Sequence, residues 1–301
     1  MSLLVTGSIG IDCVETPTGR AADALGGSAV YFALAAAIFG PVRIVGAVGE
    51  DFDLRRLKPL ADKGVDTRGV EVRRGSRTFR WHGKYVGTMN EAQTVDVQLN
   101  VLAERGAPIP AEFADSRYVF LANTHPALQR EFARQLSRAE LIVCDTMNLW
   151  IENEPDELRR TLGLVHGLVL NEGEARLLTG HTNLVTAGRE ILRLGPRFVI
   201  IKKGEHGSLL VSHDDLFLMP PYPTEKIVDP TGCGDSFAGG TLGYLAACGR
   251  FDRGALRAAM ARGSVVGSFV IESFSIDALG RVTAADVEQR LAVLREMVRF
   301  D

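Results

Sequence analysis

Short runs of apolar and β-branched residues alternate with helical patterns along most of the chain. The runs that predict strands are LLVTGSIG, RIVGAVG, YVFLAN, LIVCDT, GLVLN and FVIIKKG. Helical spacing of apolar positions falls between them, over residues 28–39, 54–63, 126–136, 157–164, 172–178 and 187–194. After Gly232 the pattern is mainly helical, over residues 235–247, 253–271 and 284–298. This alternation predicts an α/β fold, with a central, mostly parallel sheet between helices.

One region departs from this alternation. Residues 70–100 have no helical period, and TFRWHGKYV within them alternates as an antiparallel ribbon does. Together with residues 13–25, this ribbon would form a small β lid over the ligand end of the sheet. The chain contains no internal repeat or Pro/Ser-rich linker. We therefore expect a single domain over residues 1–301, with the two lid segments inserted in it.

Composition and charge limit the class of binding partner that the protein can have. The formal charge is −3, and the basic residues are scattered, so no nucleic-acid footprint is present and a small-molecule partner is expected. The apolar stretch at residues 29–42 is too short to cross a membrane and is broken by Gly40-Pro41. No signal peptide is recognised, and the four cysteines have no CxxC spacing, which is typical of reduced thiols. These features predict a soluble, cytoplasmic protein.

A glycine-rich run, VDPTGCGDSFAGG, precedes an apolar helical segment at residues 228–240. Missing side chains at Gly232 and Gly234 let backbone N–H groups converge, and a helix beginning near Asp235 would add unpaired donors. The loop is therefore suited to an anion such as a phosphate. Asp235 is unusual there. It is either a helix cap, which satisfies the backbone donors, or a general base that takes a proton from a hydroxyl group.

DPTGCGDSFAGG resembles the C-terminal signature of the ribokinase-like (PfkB) carbohydrate kinase family, with Cys233 at a usually small position. LGGSAVYFALAAAIFG at residues 25–40 is similar to the family's Gly-Gly motif, and VGED follows at the expected distance. The resemblance implies a three-layer α/β/α fold with a β lid, and ATP-dependent phosphorylation of a hydroxymethyl group on a sugar or sugar-like molecule. It also implies Asp235 as general base and the N–H groups of Gly232, Cys233 and Gly234 as the anion hole.

The same resemblance assigns roles to other positions. Asp12 matches a residue that binds substrate hydroxyl groups, and Gly26 and Gly27 match the pair that lets the backbone approach the substrate. Each also fits an ordinary turn. The remaining assignments concern ATP and ions. The positions that match ATP or Mg²⁺ contacts are Asn171, Glu174 (Mg²⁺ through water), Lys202, Gly204 and Gly207, and those that match a monovalent-cation (K⁺) site of some relatives are Asp229 and Thr231.

Two departures leave the substrate open. Tyr31 stands where the family often has an Asn that contacts substrate hydroxyl groups. Phe79, Trp81 and Tyr85 share one face of the predicted ribbon, where they would pack against the body or a dimer partner, or close over the substrate. A sugar kinase and a nucleoside kinase both fit, and a metabolite-binding protein without chemistry is the rival class. A homodimer through the lid is also expected.

The segment VCDTMNLW resembles the family's Asp-x-Asn segment after a mid-sheet strand, although the usual following Arg is absent. Asp145, Asn148 and Trp150 are its polar and aromatic positions.

Overall fold

The computed structural model describes residues 2–300 and divides its strands between two sheets. In chain order the strands are β1 (Leu3–Thr6), β2 (Gly10–Thr16), β3 (Gly19–Gly26), β4 (Val42–Gly49), β5 (Val65–Arg73), β6 (Phe79–Tyr85), β7 (Ala92–Gln98), β8 (Tyr118–Leu121), β9 (Leu141–Asp145), β10 (Gly167–Asn171), β11 (Phe198–Lys202), β12 (Ser208–Ser212) and β13 (Leu216–Met219). The helices are α1 (Ser28–Ala37), α2 (Lys58–Asp62), α3 (Pro126–Gln135), α4 (Asn148–Asn153), α5 (Pro155–Leu162), α6 (Glu172–Thr179), α7 (Leu184–Leu192), α8 (Cys233–Cys248), α9 (Arg253–Val270) and α10 (Ala284–Met297).

The central sheet has the strand order β13-β12-β11-β10-β9-β8-β1-β4-β5. Neighbouring strands from β11 to β5 are parallel, whereas β12 and β13 add an antiparallel hairpin at one edge. The predicted strands all lie in this sheet, which confirms a mostly parallel arrangement.

Helices cover both faces of the central sheet, because its buried strands are apolar on both sides. Leu3 and Val5 of β1 belong to the core formed with α1, α8, α9 and α10. Leu4, which points to the opposite face, belongs to the core formed with α3, α5 and α7. The result is the predicted three-layer α/β/α architecture.

The second sheet contains the segments predicted as a lid and is called the lid below; its strand order is β3-β2-β6-β7. Its strands cover residues 10–26 and 79–98, so the predicted boundaries need correction. Residues 70–73 belong to β5 and pair with β4 in the central sheet, where Val70 lies opposite Gly46. The error arose because an edge strand with one half-exposed face has the same alternation as a lid strand. Asp51 fixes the start of the lid, because its Oδ1 accepts hydrogen bonds from Thr78 N at 2.8 Å and Thr78 Oγ1 at 2.7 Å.

Within residues 2–300, no helix combines the length and the apolar character needed to cross a membrane.

Candidate active site

The glycine-rich loop begins α8 two residues earlier than the sequence predicted. Gly232 is the residue before the helix, and its φ of 73° is a left-handed conformation that favours glycine. A Cβ atom on Gly232 would also lie 2.3 Å from Cγ of Tyr31. Position 232 therefore requires glycine for two reasons: its backbone conformation and its close contact with the Tyr31 ring.

The three predicted donors of the anion hole are not equivalent. Cys233 N donates to the Pro230 carbonyl at 3.1 Å, so a turn uses its N–H group. Across residues 2–300, no protein acceptor takes a hydrogen bond from the N–H group of Gly232 or Gly234. These two groups and the first turn of α8 are the donors available to an anion.

Asp235 lies in the first turn of α8, half-buried, and it does not cap the helix. No hydrogen bond from the described part of the chain reaches its carboxylate. Burial raises the pKa of Asp235 to about 8, the neighbouring Asp145 charge adds to this, and Lys202 opposes it. The helix-cap interpretation therefore does not account for this residue.

Lys202, the last residue of β11, lies at the centre of the acidic groups. Its Nζ is 3.6 Å from Oδ2 of Asp145 and 3.0 Å from the position that a Cβ on Gly234 would take. Burial alone would lower the pKa of Lys202, but the carboxylates of Asp145, Glu174 and Asp235 raise it above its ordinary value. The side chain is thus a charged ammonium group beside the anion loop.

Asn171 and Glu174 form a capping box at the start of α6. Asn171 Oδ1 accepts from Glu174 N at 2.8 Å, and Glu174 Oε2 accepts from Asn171 N at 2.6 Å. Burial raises the pKa of Glu174 to about 7, with Lys202 opposing and Asp145 adding. One carboxylate oxygen is thus used by the backbone, and Oε1 is left for a ligand.

Asp12 occupies the other end of the site. Its carboxyl group is buried, and its pKa is raised to about 7, first by burial and then by the charge of Asp229. A Cβ on Gly26 would lie 1.8 Å from Oδ2 of Asp12, and one on Gly27, whose φ is 101°, would lie 2.4 Å from the Ser8 carbonyl oxygen. The glycine pair therefore makes room for the Asp12 carboxylate and for the backbone.

Tyr31 is buried in α1 near this end of the site. Burial raises the pKa of its phenol well above the ordinary value, and the charges of Asp12 and Asp229 add to this. The phenol is therefore neutral, and its ring supports Gly232.

Asp229 is buried and tied to two loops. Its Oδ1 accepts from Thr231 N at 2.9 Å and its Oδ2 from Ser275 N at 3.2 Å. Burial raises the pKa of Asp229. Within the described residues, no Lys, Arg or His forms an ion pair with Asp229 or with Asp12. Two neighbouring carboxyl groups here thus have no basic partner.

Local geometry requires glycine at both positions after β11, Gly204 and Gly207. Gly204 has a φ of 54°, and a Cβ there would lie 2.8 Å from Oδ1 of Asn90 in the lid. Gly207 has a φ of 81°, and a Cβ there would lie 2.1 Å from the Met219 carbonyl oxygen. Gly204 therefore faces the lid, whereas Gly207 lies in the hairpin at the sheet edge.

The lid aromatic residues have different environments. Phe79 packs on Gly10, and Trp81 packs on Gly83 and donates from Nε1 to Thr94 Oγ1 at 3.2 Å, so both have partners in the lid itself. Tyr85 is buried and reaches the loop before α8, where its Oη is 3.3 Å from Thr231 Oγ1.

The structure gives contacts to Asp145, which the sequence named without a role, and brings in Gln129, which it missed. Asp145 ends β9 beside Lys202. Gln129 of α3 donates from Nε2 to the Leu121, Ala122 and Asp145 carbonyl groups at 3.0, 3.1 and 2.9 Å. It thereby ties the ends of β8 and β9 together. Its signal in the sequence is a polar residue on the buried face of α3, between Pro126 and Phe132.

Asn123 and Trp150 also meet beyond these strand ends, where Trp150 Nε1 donates to Asn123 Oδ1 at 2.9 Å. Asn148 begins α4 in the same region.

The site thus combines charged groups at the ends of parallel strands, a β lid and a glycine-rich helix start. A family model described as pfkB family carbohydrate kinase matches residues 2–279. The chain therefore belongs to the pfkB family of carbohydrate kinases, as the sequence signature predicted. It is a phosphotransferase of the class that acts on a sugar or a nucleoside, so the rival interpretation as a binding protein is not supported.

Three known proteins illustrate the similarity. Cytidine kinase of Thermococcus kodakarensis is 31% identical over 252 residues, covering 81% of this chain and 88% of that protein. The structure of Burkholderia thailandensis nucleoside kinase in complex with inosine has a TM-score of 0.78 at 21% identity, covering 97% of this chain and 98% of that chain. An E. coli protein named as a ribokinase II, in complex with ATP and Mg²⁺, has a TM-score of 0.77 at 20% identity, covering 97% and 99%. The two structures establish the fold.

Proposed function

We propose that the protein transfers the γ-phosphoryl group of ATP to the hydroxymethyl group of a nucleoside, with Asp235 as the general base. The observation that carries this proposal is the Asp235 carboxylate, which accepts no hydrogen bond from the described residues and lies beside the Gly232 and Gly234 N–H groups and Lys202. The similarity to a cytidine kinase favours a nucleoside acceptor. A free sugar is the second candidate, because Asp12 and the Gly26–Gly27 pair would serve a ribose hydroxyl group in either substrate.

Each of these residues has a separate role in an in-line phosphoryl transfer. Asp235 takes the proton of the acceptor hydroxyl as that oxygen bonds to the γ-phosphorus and the bond from this phosphorus to the bridging oxygen of ADP breaks. The N–H groups of Gly232 and Gly234 and the Lys202 ammonium offset the charge that develops on the transferred group. Asp12 holds a second hydroxyl group of the acceptor and orients it.

The residues present fit a magnesium ion held largely through water. Glu174 and Asp145 would supply hard oxygen ligands beside Lys202, and the described residues contain no cluster of three His, Cys, Asp or Glu side chains that would hold a metal ion directly. When bound, Mg²⁺ offsets phosphate charge. Asn171, Gly204 and Gly207 are proposed to serve the nucleotide at the same strand ends.

A monovalent cation such as K⁺ is proposed to lie near Asp229 and Thr231. The support is the pair of buried carboxyl groups, Asp12 and Asp229, that lacks a basic partner among the described residues. Replacing KCl with tetramethylammonium chloride at equal ionic strength should then lower activity.

A homodimer through the lid is proposed as well. β7 is an edge strand of the lid, and all its residues are exposed, including Val95 and Val97.

The proposed function is tested by an ATP-consumption screen with Mg²⁺ across nucleosides, pentoses, hexoses and sugar phosphates. A nucleoside should be the preferred acceptor. In Asp235→Asn, kcat should fall by ~10²–10⁴, the usual contribution of a general base. Asp156→Asn is the matched control, because Asp156 is also in the first turn of a helix but is exposed on α5.

Three results would contradict parts of the proposal. Normal turnover by Asp235→Asn would exclude the base. Turnover of free sugars alone would exclude the nucleoside. Binding of nucleosides without ATP consumption by the wild-type protein would exclude the proposed transfer.

A further inference from the structure

A lid side chain contacts the loop that leads into α8. Tyr85 is the last residue of β6, and only 8% of its surface is exposed. Thr231 Oγ1 donates to Tyr85 Oη over 3.3 Å. The two residues are 146 positions apart in sequence, so the contact joins the lid to the site through space.

The second hydrogen bond from the lid to this loop is of a different kind. Thr18 Oγ1, at the turn between β2 and β3, donates to the Val228 carbonyl at 3.0 Å, but this bond is exposed. Water competes for an exposed hydrogen bond, whereas a buried hydroxyl that loses its partner remains unsatisfied. Of the two lid contacts, the Tyr85 contact is therefore the one that holds the loop more firmly.

Thr231 links the lid to the anion-binding loop, because it contacts Tyr85 and directly precedes Gly232. Its N–H group is fixed by Asp229 Oδ1 at 2.9 Å, and the next residue is Gly232, which lies against the Tyr31 ring. The loop is thus held from α1 by one tyrosine and from the lid by another. A shift of the Thr231 side chain would turn the peptide that carries the Gly232 N–H group.

We propose that Tyr85 is a positioning residue that sets the anion-binding loop through Thr231 when the lid covers the site. This inference rests on the proposed function, in which the Gly232 and Gly234 N–H groups bind the transferred phosphoryl group. Tyr85 acts through Thr231 and does not need to touch the substrate. The lid then contributes to the transfer step as well as to substrate enclosure.

The test uses the full-length protein with its best acceptor. Tyr85→Phe removes the hydroxyl and keeps the ring, so kcat should fall roughly five- to tenfold, as expected for one hydrogen bond, with acceptor KM nearly unchanged. Thr231→Val should give a similar loss, and the double variant should lose little more, because both remove the same contact. Thr231→Ser keeps the hydroxyl and should therefore lose less activity than Thr231→Val.

Tyr118→Phe is the matched control. Tyr118 is a buried tyrosine, and its hydroxyl has no hydrogen-bond partner among the described residues. This variant should keep full activity. Circular dichroism and thermal melting of each variant separate loss of folding from loss of positioning.

A readout independent of turnover is hydrogen exchange of the peptide over residues 228–236. Exchange there should be faster in Tyr85→Phe and Thr231→Val than in the wild-type protein and in Tyr118→Phe. Unchanged exchange, wild-type kcat in Tyr85→Phe, or losses that multiply in the double variant would each overturn the inference. A rise in KM alone would also overturn it, because Tyr85 would then be a substrate contact.

Failure of this inference is distinguishable from failure of the proposed function. If Asp235→Asn is inactive and Tyr85→Phe is fully active, the transfer mechanism stands and the positioning role fails. If Asp235→Asn is active, the proposed base fails, and the exchange measurement still decides the role of Tyr85.

Discussion

Three carboxyl groups of the site hold their protons at a pH where carboxyl groups in water have lost them. Burial raises the pKa of Asp12 and Glu174 to about 7 and that of Asp235 to about 8. Lys202 opposes the shift at Glu174 and Asp235 but is not among the causes at Asp12. At the residue scale, the site is therefore an acidic cluster with too little positive charge, which suits it to bound cations and to proton transfer.

The raised pKa of Asp235 predicts a pH-dependent stability. Between 3.8, its ordinary pKa, and about 8, the folded protein holds a proton that the unfolded chain has lost, so stability falls as pH rises through this window. Asp235→Asn lacks this dependence. Its melting temperature should exceed that of the wild type by ~2–4 °C at pH 8 and by less at pH 5, measured by calorimetry. A wild-type protein more stable at pH 8 than its variant would contradict the raised pKa.

Catalysis should have the opposite pH dependence, because the proposed base works only when ionised. kcat/KM should rise by roughly tenfold or more between pH 6 and pH 8, since a base with a pKa of about 8 goes from ~1% to about half ionised over this range. Lys202 lowers the pKa of Asp235, so Lys202→Met should move the acid limb to higher pH as well as reducing kcat. An acid limb near pH 4 in the wild type would exclude Asp235 as the titrating group.

At the scale of single elements, the sequence predicted what local pattern determines. The parallel strands and most helices were found from their apolar periods, and the capping box of Asn171 and Glu174 was readable as a helix start. The hairpin of β12 and β13 was not predicted, because its strands follow β11 without an intervening α-helix and so fall outside the alternation of strands and helices. The turn that uses the Cys233 N–H group was also not predictable, since it depends on backbone geometry rather than residue type.

Gly26 provides a test of how β3 shapes the substrate end. In Gly26→Ala the new Cβ would lie 1.8 Å from Asp12 Oδ2, so the short Asp12 side chain must turn away. Acceptor KM should rise by about tenfold or more, because the hydroxyl contact is misplaced. Gly40→Ala is the control, since a Cβ there meets nothing within 4 Å. Unchanged acceptor KM in Gly26→Ala would show that Asp12 does not bind the acceptor.

At the scale of the whole molecule, the site is assembled from segments that only the sheet brings together. Asp145 and Lys202 end strands β9 and β11, with β10 between them, and Asp235 approaches from α8. The expectation that ligand groups collect at the carboxyl ends of parallel strands was available from sequence. Which of these groups touch was not, because the strand order and the depth of each side chain arise from packing of the complete chain.

The lid edge predicts the state of assembly. β7 has seven residues, all exposed, whereas the other three edge strands, β3, β5 and β13, each include buried or half-buried residues. A fully exposed edge leaves its backbone groups open to pairing with a second copy, so the dimer should form through β7. Light scattering should give twice the chain mass of 32.6 kDa for the wild type. Val97→Lys should give the single-chain mass, because a lysine opposite its symmetry mate introduces charge repulsion.

Leu218→Lys on β13 is the matched control, because Leu218 is 67% exposed and lies on the competing edge. It should remain dimeric. Dissociation by Leu218→Lys but not by Val97→Lys would move the interface to the central sheet, and a single-chain mass for the wild type would exclude both edges. Because Val97 lies opposite Trp81 in the lid, activity of the Val97→Lys monomer would also show whether one copy is sufficient to close its own lid.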